Sequence, residues 1–203
     1  MSVNRSSAAN LPVEAIEELL QAGLSNEVVS FGNHRRPIRH AAVLIPMVTI
    51  DSAWHLLFTR RSDALSDHRG QVAFPGGMAE PGDQNAAETA LRETYEEIGV
   101  RPGDVRVLGR LNDYVTVSDF RVTPVVGIFP WPYPLQIQQM EVSRVFSIPL
   151  DWLGRPENWR EEMYESQYGG MHPVIFYEPF EGELLWGITA RITIDFLKTL
   201  KIL

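Results

Sequence analysis

Four residues near the middle of the chain have the types and spacing for chemistry: Arg92, Glu93, Glu96 and Glu97, in the run ALRETYEEIG. On a helix, at about 100° per residue, the three carboxylates share an arc of about 100°. Like charges at this spacing repel and cost a helix a few tenths of a kcal/mol per pair. Two things can offset that cost. One is Arg92 with solvent, which makes a hydrated surface helix. The other is a hard divalent cation, Mg²⁺ or Mn²⁺, which prefers clustered carboxylate oxygens and keeps several of its waters. Just upstream, Gly76-Gly77 follows Val72, Ala73, Phe74 and Pro75, where the backbone can turn sharply and approach a ligand closely.

The element that must hold these acids is a helix over about 84–98. Asp83 is suited to cap its start, and Gly99 to end it in the left-handed conformation. Ala87, Leu91, Thr94 and Ile98 fall on one face, roughly opposite the carboxylates, so that one face packs and the other collects charge.

Gly77, Arg92, Glu93, Glu96, Glu97 and Gly99 resemble the box of the Nudix family: a glycine, a spacer with an acid, then R-E-x-x-E-E-x-G. Asp83 stands where the box carries glutamate, and the gap to Arg92 is one residue longer than usual; Asp83 therefore reads as a cap first and a ligand second. The stretch LLFTRRSDALSDHRGQVAFPGG (56–77) resembles the signature of the coenzyme A pyrophosphatase branch, L-L-T-x-R-S followed by G-x-x-x-F-P-G-G. The resemblance implies a mixed sheet between helices, an α/β (α+β) sandwich. It also implies a metal-dependent hydrolase using Mg²⁺ or Mn²⁺, with Glu93, Glu96 and Glu97 as metal ligands and Arg92 orienting the acids. The substrate would be coenzyme A or acyl-coenzyme A, cleaved to 3′,5′-ADP and 4′-phosphopantetheine or its acyl form. Glu141, where relatives often carry a later acid, is the candidate base or extra ligand. Its alternative is a solvated charge at a strand end. Two rivals differ in class: a broader nucleoside-diphosphate-X pyrophosphatase, and a silent Nudix-like domain that binds a nucleotide as a regulator. The three intact box glutamates argue against the second.

An anionic substrate must meet local cations, because the chain carries a formal charge of −8. The same charge argues against general binding of nucleic acid or an acidic membrane. Arg60, Arg61, His68 and Arg69 form the densest cationic stretch, just before Gly76 and Gly77, and arginine can bind two phosphate oxygens at once. At least one of the four is expected to be an ordinary surface charge. The signature's usual arginine, four residues after its serine, is here Ser66. Arg69, aided by Arg60 or Arg61, is expected to take over that contact.

Of 203 residues, 44% are hydrophobic and none is cysteine, which permits a sizeable core and excludes disulfides, thiolate metal sites and cysteine nucleophiles. No segment approaches the roughly 20 apolar residues needed to span a bilayer, and the first residues lack an apolar signal core. One domain over 1–203, with a mobile start at about 1–10, in the cytoplasm, is the expectation. A helix at 12–23 is read as a packing or dimer-contact element, which leaves a homodimer open. Strands are expected at 41–50, 54–59, 71–74, 105–111, 121–129, 141–148 and 174–178, with a helical turn near 149–153 and a helix at 186–200. Asp51-Ser52 reads as a hairpin turn, 112–120 as a polar loop and 154–172 as polar with little periodicity. Pro124 suggests an edge or bulge in its strand. Trp186-Gly187-Ile188-Thr189-Ala190 resembles a late motif of the coenzyme A branch; spacing alone reads it as a helix start packed on the core.

Overall fold

The computed structural model describes residues 11–25, 27–31, 37–64, 69–165 and 171–203. The expected mobile start, His68 and Ser66 lie outside them. In chain order the elements are α1 (Val13–Gly23), β1 (Val28–Ser30), β2 (Arg39–Ile50), β3 (Ala53–Arg61), β4 (Val72–Ala73), β5 (Gly76–Met78) and α2 (Ala86–Ile98). They continue with β6 (Arg106–Arg110), β7 (Asp113–Val115), β8 (Phe120–Ile128), β9 (Val142–Pro149), α3 (Leu150–Leu153), β10 (Trp159–Glu165), β11 (Met171–Tyr177) and α4 (Gly187–Thr199).

Among the described residues, β1–β9 form one mixed sheet, with β2 parallel to β8, β1 parallel to β7 and the other pairs antiparallel. Strand β2 is its spine, and both of its faces are covered. Ala42 and Leu44 pack with Ala90 of α2 and Val125 of β8. Ile45 and Met47 point to the opposite core, with Ile16 and Leu20 of α1 and Ile192 and Phe196 of α4. A strand buried on both faces has no reason to alternate, which is why residues 41–50 read as one apolar run. Helices on both sides of a mixed sheet are the expected α/β sandwich. Among the described residues, no helix is long and apolar enough to cross a membrane.

Strand β2 changes partner along its length, and this opens the slot that the site uses. Its outer end, Ala41–Val43, pairs with β5, whereas Met47–Ile50 pair with β3 across the Asp51-Ser52 turn. Both turn residues take positive φ, 48° and 63°, as a tight two-residue hairpin requires. Between the two pairings the segment Phe74-Pro75 threads in, and the Leu44 N–H donates to the Pro75 carbonyl at 2.9 Å.

Four strands escape the sequence reading, each for a physical reason; one is β5, whose Gly76-Gly77 reads as a turn. Strands β1 and β7 have three residues each, too few to show a period, and β7 falls inside the expected polar loop. Strand β10 is exposed at every residue but Trp159, so it shows no alternation. Pro124 is not at an edge: β8 lies between β2 and the pair β6 and β7. Its carbonyl accepts from Leu111, on the side where the neighbour changes from β6 to β7, so the missing N–H falls at a break in the ladder. Helix α1 packs inward through Ile16 and Leu20, which meets the packing half of its reading.

Candidate active site

Helix α2 starts two residues later than expected, and its cap is Asn85. The Asn85 Oδ1 accepts the Glu88 N–H at 3.0 Å. Asp83 serves a different purpose. Its carboxylate accepts the Glu80 N–H and the Thr89 hydroxyl, both at 2.9 Å, and the Nε and Nη2 of Arg92, both at 3.1 Å. The Arg92 guanidinium, together with these donors, holds the Asp83 carboxyl down at about 2. Gly99 ends the helix as expected, at φ 77°, with its N–H on the Tyr95 carbonyl.

Arg92 donates five hydrogen bonds: two to Asp83, one each to Glu93 and Glu96 at 3.0 and 3.1 Å, and one to the Met78 carbonyl. It ties the acid helix to β5 and to the turn before the helix. These bonds fix the positions of the Glu93 and Glu96 carboxylates.

The three glutamates do not share a surface arc. Glu96 is outermost, its side chain 54% exposed, while Glu97 is buried at 5%. Glu97 is seven residues from Ala90 and so within about 20° of it around the helix, on the packed stripe. Assigning every glutamate to the polar face was the error. The Glu97 Oε2 accepts the Gly76 N–H at 3.3 Å. Burial pushes the Glu97 carboxyl up to about 8; the Gly76 N–H and Arg61 oppose this, and the charges of Glu93 and Glu141 add to it. Glu93 is also raised by burial, against the pull of Arg92.

The two glycines of β5 are required by close approach. A Cβ on Gly76 would lie 2.4 Å from the Ala42 carbonyl oxygen, and one on Gly77 would lie 2.5–2.6 Å from the Glu93 carboxylate. Glu93 therefore rests directly on the Gly77 backbone. Among the described residues, no three acidic or imidazole side chains converge into a ready-made cage. The donors that Glu93 and Glu97 offer are carboxylate oxygens, the kind a hard cation such as Mg²⁺ takes, with water completing its shell. Glu93 and Glu97 are the acids turned toward the glycine backbone, and a cation beside them would reverse the raised proton affinity of Glu97.

Of the expected cations, Arg61 is at the site and Arg60 is not. Arg61 lines a cavity of about 150 Å³ with Thr59, Gly76 and Glu97, and its Nε is buried without a hydrogen-bond partner. The side chain of Arg60 bonds Asp63 at 3.2 Å and Ser143 at 3.0 Å, and pairs with Glu183 at 3.5 Å. Consecutive residues of a strand point to opposite sides, so only one of this pair can face the slot. Arg69 is exposed in the turn before Gly70.

Glu141 reaches the site through a contact that left no trace in the sequence. The Gln136 and Gln138 N–H groups donate to the Ile98 and Glu97 carbonyls at 3.0 and 2.9 Å, satisfying the C-terminal end of α2. The Glu141 carbonyl accepts the Ser62 N–H at 2.8 Å. These backbone bonds hold Glu141 near enough for its charge to act on both Glu93 and Glu97. Backbone donors have no side-chain signature, so LQIQQM carries no motif.

A mixed sandwich whose acid helix rests on a glycine strand, with an arginine-lined slot beside it, defines a hydrolase of diphosphate-containing compounds. The NUDIX domain family matches residues 38–171, and the chain belongs to it. Over 153 residues it is 42% identical to the "Uncharacterized Nudix hydrolase NudL" of Yersinia enterocolitica serotype O:8 / biotype 1B, covering 75% of this chain and 77% of that protein. The protein of the same name from Photorhabdus laumondii subsp. laumondii is 40% identical over 154 residues, 76% of this chain and 81% of that one. Among solved structures, a MutT/nudix family protein from Enterococcus faecalis shares the fold at a TM-score of 0.53 and 16% identity, over 84% of this chain and 64% of that one. The chain is a Nudix hydrolase, of a family that generally uses divalent metal ions.

Proposed function

We propose that this enzyme hydrolyses the diphosphate of coenzyme A or acyl-coenzyme A to 3′,5′-ADP and 4′-phosphopantetheine or its acyl form, with Mg²⁺ or Mn²⁺. One observation carries the reading. Three separate stretches meet at one cavity: Thr59 and Arg61 from T-R-R-S, Gly76 from F-P-G-G, and Glu97 from the box. Glu93 and Glu97 are the principal metal ligands, and Glu96 joins through water. A divalent cation, when bound, supplies charge neutralisation at the phosphoryl oxygens. Arg92 holds Glu93 and Glu96 in place, Arg61 meets a phosphate oxygen, and Glu141 takes the proton of the attacking water. Arg69 binds the 3′-phosphate in place of the arginine that Ser66 replaces. The chain works as one domain in the cytoplasm, without nucleic acid or membrane. Light scattering on the eluted protein decides between monomer and homodimer.

The deciding experiment is mass spectrometry of products from coenzyme A with Mg²⁺ or Mn²⁺, with nucleotide sugars and dinucleotides in parallel. Cleavage of coenzyme A to 3′,5′-ADP is expected. A preference for nucleotide sugars would assign the broader pyrophosphatase activity, and no turnover of any substrate would favour a binding regulator. Arg69→Ala is expected to raise KM for coenzyme A about 10-fold while sparing dephospho-coenzyme A. Equal losses on both would move Arg69 to the diphosphate.

A further inference from the structure

The cavity beside Glu97 is lined mostly by apolar side chains. Glu97, Arg61, Thr59 and Thr189 are its polar side chains; the apolar walls include Val43, Val122, Ile188 and Ile192. Val43, Val122 and Ile188 are only half-buried although they belong to the covered face of the sheet and to the helix that covers it, so the space opens to solvent. Ile188 and Ile192, on consecutive turns of α4, close it from the side opposite α2. A largely apolar recess that begins at Glu97 favours an apolar group next to the diphosphate.

Substrates of the rival classes differ at that point. In nucleotide sugars and dinucleotides the group that follows the diphosphate is a sugar, whose several hydroxyls would find few partners against the valine and isoleucine walls. In coenzyme A the diphosphate is followed by a methylene and then by a carbon bearing two methyl groups. We propose that this recess takes that dimethyl carbon, and that Ile188 and Ile192 determine the choice of a branched alkyl diphosphate ester over a glycosyl one. The inference rests on the coenzyme A reading and adds the wall that enforces it. The start of α4 thereby becomes a selectivity element, beyond its packing on the core.

The test compares coenzyme A with a synthetic analogue in which the dimethyl carbon is a plain methylene. Burying two methyl groups favours the natural substrate by about 10-fold in kcat/KM, and the wild type is expected to show it. Ile188→Asn, which makes the wall polar, should bring the preference to within about 2-fold. Ala73→Leu, which intrudes from the β4 side, should harm coenzyme A more than the analogue. Thermal midpoints accompany both variants; if Ile188→Asn does not fold, the wild-type preference and Ala73→Leu still decide. A wild type that cleaves coenzyme A and its analogue equally well, or variants that lose both substrates in proportion, overturns the inference alone. A wild type that cleaves nucleotide sugars and not coenzyme A overturns the substrate reading and this inference with it.

Discussion

Helix α2 and the β10–β11 hairpin are both rich in charge, and they use the same residue types to opposite ends. Each has an arginine paired with more than one glutamate. Arg92, 22% exposed, donates to side chains and to a main-chain carbonyl from three elements of structure. Arg160, 53% exposed, pairs with Glu162 on its own strand and with Glu178 just past the next. On the hairpin the charges stand in water and keep an otherwise unprotected strand edge soluble. On α2 they are drawn under a glycine strand, where like charges and burial raise the proton affinity of two carboxylates. Burial, and not residue composition, turns a row of glutamates into a reactive site.

Glu97→Gln probes that difference most strongly. Turnover is expected to fall by at least about 100-fold, because a charge that acts only with bound metal and substrate is removed. Stability should move the other way. In the metal-free protein Glu97 keeps its proton until about pH 8, whereas in the unfolded chain it ionises near the ordinary carboxylate value. The unfolded state thus binds fewer protons in between, and wild-type stability should decline as pH rises from about 4.5 to 8, by at most about 5 kcal/mol. Urea titrations in chelator should show this slope in the wild type and a flatter one in the variant; equal slopes would mean that Glu97 is solvated.

Arg92→Ala is expected to cost about 2–3 kcal/mol in the same titrations, since it leaves Asp83 and Glu93 without their common partner. It should also remove one source of acid lability. The stability contributed by Asp83, present above about pH 4 and lost as pH falls toward 2, depends on that arginine. Gly77→Ala should act more narrowly. Its Cβ must displace the Glu93 carboxylate, so Mn²⁺ affinity by calorimetry should weaken about 10-fold, with stability changed by about 1 kcal/mol. The smallest effect is expected for Arg160→Ala, with no measurable change in midpoint or kcat/KM despite two lost ion pairs. A cost comparable to that of Arg92→Ala would erase the contrast between the two regions.

The long, strongly patterned elements were legible: the twice-covered run of β2, the helices α1, α2 and α4, and the turn at Asp51-Ser52. So was the family, because its box restricts residue type at fixed spacing. What was hidden depends on tertiary contact. Asp83 looked like a cap because aspartate caps well; its actual partner, Arg92, lies nine positions on and is brought round by the helix. Arg60 and Arg61 looked interchangeable until a strand turned one toward the slot. The burial of Glu97 runs against its charge and is sustained by the Gly76 N–H, a donor that no side-chain pattern announces.

The backbone bonds from Gln136 and Gln138 to the end of α2 have a consequence for how this enzyme can vary. The crossing between the acid helix and the loop bearing Glu141 is written in main-chain atoms, so side chains at 136 and 138 are open to drift without moving Glu141. Gly99 has no such freedom, because a Cβ there would lie 2.9 Å from the Gln136 nitrogen that makes the crossing. Chain length across 136–141 is equally constrained, since one residue more or less would shift Glu141 along a strand start that Ser62 already fixes. This joint should tolerate substitution and resist insertion.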